Sequence, residues 1–344
     1  MLPFENKTII LGMPNHSGIY IVIKNNLENL GFKVNLVIIT FEKFRYKNFT
    51  QRFYNFYRKL LLRDFNYKQK LEKETNLNNL LNTVNNFSKS DYALVIRPDL
   101  FQMEVIDAIK KKSNYLAGYQ WDGLERYPEI HSYIPKFNKF FVFDRKDLLY
   151  PNVFPTTNFS LESITQVDYN QNDYNSAYFI GTYILERMSV VSTIIKKLNT
   201  VKINSKAIIF TGLIGIDQEI EHVRSLDLIP TDRVLMYNEN LVNVMQSGIL
   251  IDVHNPIHSG LSFRIFEGLK YNKKVITTNE AVKDYDFYCE QNILIWKNQN
   301  ITEISDFIKT PYIPISENIK RKYSFENWIR YILELGNYTP ISLP

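Results

Sequence analysis

The stretch Asp252–Asn279, DVHNPIHSGLSFRIFEGLKYNKKVITTN, decides how this chain is read. It begins at the end of an apolar strand, GILIDVH, which Pro256 stops. Ser259 and Gly260 then lead into an amphipathic run, LSFRIFEGLKY, and KKVITTN supplies a second β-branched strand. Ile265, Phe266 and Leu269, with Leu261, fall on the face that a core would bury. Strand, turn, helix and strand make a βαβ unit, and such units build parallel sheets. In open α/β sheets ligands sit beyond the carboxyl ends of the strands. Asp252, His254 and the turn after them are therefore expected to line a ligand cleft.

The same grammar runs through the rest of the chain. KTIILGMP (Lys7 to Pro14) reads as a buried strand, NHSG as a turn, IYIVIKNNLENLGF as a helix stopping near Gly31, and KVNLVIIT as the next strand. Residues 41–90 read as helical. DYALVIRPD, YLAGYQWD and KFFVFD read as further strands, with a helix from Phe101 to Lys112. ITQVDYNQNDYNSA (Ile164 to Ala177) is rich in Asn, Gln and Asp and marks a boundary. A second α/β series follows: AYFIGTY, the helix LERMSVVSTIIKKL, KAIIFTG, GILIDVH, KKVITTN and NILIW. The expected organisation is an N-terminal domain over residues 1–165, a C-terminal domain over 175–320, and a final amphipathic helix within 321–344.

Bulk composition narrows the classes. The 344 residues are 45% apolar and 22% charged, an ordinary globular balance. A net charge of +5 suits anionic ligands or a membrane surface but is too small to argue for nucleic acid. The one cysteine, Cys289, rules out an intrachain disulfide framework and a cysteine metal cluster, and fits a reducing cytoplasm. The opening MLPFENKTIILGMP lacks the basic and long apolar regions of a signal peptide, and the apolar runs are strand-sized.

A helix start exposes backbone N–H groups and a partial positive charge. At the Ser259–Gly260 turn the glycine lets an anion approach the backbone, and Glu267 further along can accept from hydroxyls. Those features describe a nucleoside-diphosphate site. They equally describe a Ser-Gly pair that only caps a helix.

The stretch resembles the donor-binding segment of GT-B glycosyltransferases. In the large retaining families of that fold two glutamates separated by seven residues bracket this helix start, and the second contacts the ribose of the sugar nucleotide. Glu267 matches the second position, and Ser259 stands at the first, which leaves the stereochemical outcome open. YQWDGLERYP, FVFDRKD, YFIGTYILERM, GLSFRIFEGLKYNKKVITTN, YDFYCEQNILI and YSFENWI together, over Tyr119 to Ile329, are similar to bacterial capsular-polysaccharide and lipopolysaccharide glycosyltransferase-like proteins, and more loosely to group 1, CgeB-like transferases. The resemblance implies two Rossmann-like doubly wound α/β domains facing a central cleft. The N-terminal one would bind the acceptor and the C-terminal one a nucleotide sugar. The final helix would lie near the hinge. A glycan or lipid-linked acceptor of cell-surface polysaccharide synthesis is implied. Two alternatives stay open: a non-catalytic scaffold of this architecture, and a nucleotide-sugar epimerase.

Each candidate position carries a chemical reason. The resemblance implies that the loop in FIGTYILERM supplies a glycine, Gly181, and a basic residue, Arg187, to the donor phosphates, where a guanidinium offers a fixed fork of donors; Arg264 is the other candidate clamp. Arg187 could instead pair with a surface carboxylate, and Arg264 with Glu267 at i+3. His254, His258, Ser259, Gly260, Leu261 and Ser262 would border the same donor. His16 in MPNHSG has an imidazole able to take a proton from an acceptor hydroxyl, and Gly18 leaves room for a ligand; a turn histidine capping the next helix is the alternative. Asp122, beside Trp121, would have a raised pKa against the indole and could act as base. Tyr119 and Trp121 could stack on a sugar. A capping Asp with core aromatics is the alternative, and Asp99 is a further cap candidate. No metal and no cofactor beyond the donor is expected, because Pro256 breaks helical spacing between His254 and His258. Finally, Phe41–Lys70 interleaves Lys and Arg with Phe and Tyr. It suits peripheral contact with an anionic membrane, at the inner face of the cytoplasmic membrane, or a packed helix pair with its aromatics inside.

Overall fold

Strands that read as unbroken apolar runs are buried on both faces, and here they form the centres of two sheets. The computed structural model describes residues 2–40, 49–61, 66–165, 174–212, 217–255 and 257–344. Pro256, most of the expected interdomain boundary and parts of the Phe41–Lys70 stretch lie outside the described residues.

The first series runs β1 (Thr8–Pro14), α1 (Ile19–Asn29), β2 (Lys33–Ile39), α2 (Phe49–Leu61), α3 (Tyr67–Asn85), β3 (Ser90–Ile96), α4 (Met103–Lys111), β4 (Ser113–Gln120), β5 (Lys139–Val142) and β6 (Val153–Pro155). The sheet order is β2-β1-β3-β4-β5-β6. β1 pairs in parallel with β2 and β3, Ile9 standing opposite Val34 and Tyr92, and β3 pairs in parallel with β4. Ile9, Ile10, Leu11 and Met13 of β1 are wholly buried, as a central parallel strand requires. The strand order reverses between β1 and β3, so the turn after β1 begins at a topological switch point. Asp99 is no helix cap. Both its oxygens accept from Arg97, at 2.8 Å from Nε and 2.7 Å from Nη2.

The second series runs β7 (Ser176–Thr182), α5 (Leu185–Thr200), β8 (Asn204–Phe210), α6 (Asp217–Ser225), β9 (Ile229–Thr231), α7 (Tyr237–Gln246), β10 (Ile249–Asp252), α8 (Phe263–Tyr271), β11 (Lys274–Thr277), β12 (Ile293–Ile295), α9 (Ile301–Lys309), α10 (Glu317–Lys322) and α11 (Phe325–Ile332). The order β12-β11-β10-β7-β8-β9 is parallel throughout and is that of a Rossmann sheet. Phe179, Ile251, Ile276, Met188 and Val191 fill the core between strands and helices. The switch point lies between β7 and β10.

The chain divides into two compact units. One comprises Met1–Asn15, Leu27–Gln120 and Tyr127–Phe140; the other comprises His16–Asn26, Trp121–Arg126 and Phe141–Pro344. Within the second unit α11 buries Trp328 against Phe159, ring centroids 4.2 Å apart, and its indole donates to the Thr157 carbonyl at 3.1 Å. Ser324 caps that helix through the Asn327 amide at 3.2 Å. One expectation is overturned in the first unit: on α2 the aromatics do not pack inward. Phe49, Phe53, Tyr54, Phe56 and Tyr57 are exposed, and Asn55 is buried.

Candidate functional site at the second switch point

Two arginines converge at the carboxyl ends of β7 and β10. Arg187 sits in the first turn of α5, directly after β7. Its guanidinium lies 5.8 Å from the Phe179 ring centroid, and its Nε is buried with no hydrogen-bond partner. A methyl group on Gly181 would come within 4.0 Å of Arg187 Nη2. Burial lowers the Arg187 pKa, Asp252 opposes this, and Arg264 adds to it. Arg264, in the first turn of α8, has a side chain only 12% exposed. Its guanidinium lies 5.4 Å from the Tyr178 ring centroid, and its Nη1 is buried and unpartnered.

The carboxylates nearby are largely satisfied by neutral donors. Asp252, ending β10, accepts from Ser262 Oγ at 2.8 Å and Thr277 Oγ1 at 2.7 Å. Glu267 accepts through Oε1 from the Tyr237 hydroxyl at 2.9 Å and Asn240 Nδ2 at 3.3 Å. Its Oε2 has no hydrogen bond and stands 3.5 Å from Arg264 Nε. Burial, then Glu267, raises the Tyr237 pKa well above its ordinary value, so the phenol stays the donor. Buried guanidinium N–H groups without acceptors are costly unless something anionic completes them.

The Ser259–Gly260 expectation is corrected. α8 begins at Phe263 with Ser262 in the N-cap position, so the Ser-Gly pair precedes the helix start rather than forming it. The Ser259 amide donates to Asp144 Oδ2 at 2.7 Å and its hydroxyl to Oδ1 at 2.6 Å, so a carboxylate of the protein itself holds the place proposed for a phosphate. Burial alone would raise the Asp144 pKa; the Ser259 hydroxyl and amide and the Lys146 amide outweigh it and hold the carboxyl below its ordinary range. Gly260 packs on Phe143, which accounts for the glycine without any ligand. Leu261 is buried, and its carbonyl accepts from Asn158 Nδ2 at 2.9 Å.

The histidines after β10 form a local pair. His254 Nε2 hydrogen-bonds the His258 carbonyl, and the rings lie 5.8 Å apart. His258 stands 5.0 Å from the Phe143 ring, and its Nδ1 is buried without a partner. Burial, then His254, lowers the His258 pKa against the pull of Asp122 and Asp144. A neutral imidazole follows, which suits a hydrogen-bonding role and not a cationic one.

His16 and Asp122, the two proposed bases, fall in the same unit. His16 is exposed on the turn after β1, its ring 6.2 Å from that of Trp121. Half-buried Trp121 meets Phe263 edge-on at 6.1 Å, and Phe263 lies 6.3 Å from Tyr237. An aromatic path thus joins His16 to the hydroxyl that holds Glu267. Asp122 pairs with Arg126 at 3.6 Å. Gly18 has φ +66°, and a Cβ there would stand 2.2 Å from the Met236 methyl, so the turn's own geometry explains this glycine. Tyr119 has no exposed surface and belongs to the core of the first unit, which removes its ring from any sugar-stacking face.

Sequence reasoning passed over Tyr237, Phe263, Asp144 and Asp147. The two aspartates share one turn, FVFDRKD, and each fastens a loop. Asp147 accepts from the Leu124 amide at 3.2 and 3.1 Å, fixing the segment that carries Trp121 and Asp122. Burial, aided by Asp144 and Glu125 and opposed by the Leu124 amide, raises the Asp147 pKa to about 6. A carboxyl whose folded pKa lies above its unfolded one binds more protons when folded, so stability falls as pH rises from about 4 to 6. Asp147→Asn keeps the amide acceptor and removes this loss. Its stability gain over wild type, from urea unfolding, should be larger at pH 7.5 than at pH 4.5 by about 2 kcal/mol. Equal differences at both pH values would refute the assignment.

Among the described residues no group of three or more His, Cys, Asp and Glu side chains is placed to hold a metal ion, and no helix is long and apolar enough to cross a membrane. No protein-family model matches the chain. No curated protein sequence matches it either. Solved structures do. An alpha-glucosyltransferase in complex with UDP and a 13-mer DNA is 12% identical, with TM-score 0.52 over 88% of this chain and 89% of that one. The lipopolysaccharide outer core galactosyltransferase WaaB, apo form, is 12% identical, with TM-score 0.49 over 94% and 98%. A UDP-GlcNAc 2-epimerase from Neisseria meningitidis bound to UDP-GlcNAc is 11% identical, with TM-score 0.47 over 95% and 99%. With its two six-stranded sheets, the chain has the two-domain α/β fold of GT-B proteins.

Proposed function

We propose that this protein is a metal-independent glycosyltransferase that takes a sugar from a nucleoside-diphosphate donor to a glycan or lipid-linked acceptor of cell-surface polysaccharide synthesis, on the cytoplasmic side of the membrane. The observation that carries the reading is the pair Arg187 and Arg264, each with a buried, unpartnered guanidinium nitrogen, at the switch point of a Rossmann-ordered sheet. Residues 175–320 serve the donor and residues 1–165 chiefly the acceptor. In the reaction the acceptor oxygen bonds to the anomeric carbon while the bond from that carbon to the diphosphate oxygen breaks. Negative charge grows on the departing diphosphate, and two guanidinium forks stabilise it there. Glu267 aligns Arg264 and offers Oε2 to a ribose hydroxyl. His258 Nδ1 is a further hydrogen-bonding atom for the donor. His16 or Asp122 receives the acceptor's proton. Trp121 gives the sugar an aromatic face.

Calorimetric titration with UDP, GDP and CMP tests the site. UDP is the first choice because the alpha-glucosyltransferase of the same fold was solved with it. Binding of none of the three, nor of any nucleotide sugar in a thermal-shift screen, overturns the reading. A labelled donor then separates the alternatives. A transferase releases sugar to an added acceptor, an epimerase alters the sugar without one, and a scaffold does neither. Retained transfer in both His16→Ala and Asp122→Asn would remove the proposed bases.

A further inference from the structure

α2 is turned inside out. An amphipathic helix on a globular protein normally buries its apolar arc and leaves its polar face in water. In α2 the polar Asn55 is buried, 7% exposed, while Phe49 is 76%, Phe53 62%, Phe56 59%, Tyr54 45% and Tyr57 42% exposed. With 3.6 residues per turn, these five side chains occupy one continuous arc of roughly 160°. Arg52 is exposed beside that arc, and α2 contains no Asp or Glu. Tyr54 stacks on Tyr57 at 6.2 Å and meets Tyr67 edge-on at 5.2 Å. The Arg58 guanidinium lies over Tyr54 and Tyr67, at 5.7 and 5.0 Å. Phe49, Phe53, Tyr54 and Tyr67 line a crevice of about 680 Å³ on this surface. The sequence around it, Phe41–Lys70, has nine Lys and Arg against two acids.

We propose that the aromatic face of α2 docks on the surface of an anionic phospholipid bilayer. The charge selects this occupant. A contiguous exposed apolar face needs a cover, and a cover meeting this one confronts cations with no acid in the helix itself to balance them. Anionic headgroups supply that balance, phenylalanine rings enter the acyl boundary, and tyrosine hydroxyls and arginine forks remain at headgroup level. Lipid phosphate and carboxylate attract each nearby cation, with a range set by the Debye length. The proposal stands on α2 and the sequence around it and is independent of the transferase reading.

The test is co-sedimentation of the full chain with vesicles, without donor or acceptor. Vesicles of phosphatidylcholine with about a third phosphatidylserine should bind the protein at least tenfold more tightly than phosphatidylcholine alone, and raising salt to 0.5 M should release it. Phe53→Ser with Phe56→Ser should lower partitioning at least tenfold, and Arg52→Glu should weaken it severalfold on the anionic vesicles only. Because these side chains are exposed, both variants should melt as wild type does, which separates lost docking from lost folding. Absence of binding to anionic vesicles, or equal binding by the Phe53→Ser/Phe56→Ser variant, overturns the proposal. So does self-association in lipid-free solution that the same double variant abolishes, since the face would then belong to a second copy of the chain.

Discussion

Replacing Arg264 by methionine should weaken UDP binding by roughly 30- to 1,000-fold, the equivalent of about 2–4 kcal/mol for one buried charge-assisted contact. The estimate follows from where the guanidinium stands. Its side chain is 12% exposed, Nη1 is buried without an acceptor, and the neighbouring carboxylate of Glu267 is 3.5 Å from Nε and already bonded to Tyr237 and Asn240. Methionine preserves most of the aliphatic stem against Tyr178 and removes the charge. Arg264→Lys keeps a charge but loses the planar fork, so its loss should be smaller but still clear. UMP should be affected less than UDP if the second phosphate is what the arginine grips. Burial chiefly, and Arg264 beside it, depress the Arg187 pKa, so the two cations repel in the free protein and both gain from a bound anion. A folded Arg264→Met protein with unchanged UDP affinity would reduce Arg264 to a structural partner of Glu267, and the donor-site assignment would fall with it.

The parts of the molecule that the sequence made legible are those governed by periodicity. ILID and KVIT are strands because short β-branched runs fit central parallel positions, and they pair in parallel as the βαβ reading requires. Arg187 and Arg264 are legible as candidates because each falls in the first turn of a helix that follows a strand, and the resemblance to GT-B transferases implies a basic residue for the donor phosphates there. Contacts between distant side chains and backbone have no period and stayed hidden. Asp144 reaches Ser259 across 115 residues, and no spacing in FVFDRKD announces it. The start of α8 is ambiguous for a local reason: the run SGLS holds two serines, and each hydroxyl goes to a distant carboxylate, Ser259 to Asp144 and Ser262 to Asp252, so neither marks the helix start with a side-chain cap. α2 shows the limit of amphipathicity itself. The pattern tells which residues share an arc, while the direction that arc faces is a tertiary outcome.

Gly260→Ala should cost the fold on the order of 3 kcal/mol or more, at the upper end of overpacking in a close-packed region. A Cβ at this position would stand 2.3 and 2.4 Å from Phe143 ring carbons and 2.7 Å from the Phe143 carbonyl oxygen. A ring can tilt; a backbone carbonyl cannot move without the turn that carries it, here the one after β5 that also holds Asp144. The 259–262 segment would have to shift instead, and its attachments would suffer together: Ser259 on Asp144, the Leu261 carbonyl on Asn158, and Ser262 on Asp252. Because Ser262 precedes Arg264 by half a turn, UDP affinity should fall along with stability. Phe143→Leu should recover part of the loss in the double variant and never all of it, since the carbonyl contact remains. That coupling energy, measured by urea unfolding of wild type, both single variants and the double, decides between the two reasons for having glycine here. A variant that keeps wild-type stability yet fails to bind UDP would restore the reading in which Gly260 clears the way for an anion. A destabilised variant coupled to Phe143 assigns the glycine to packing and leaves the diphosphate to the two arginines.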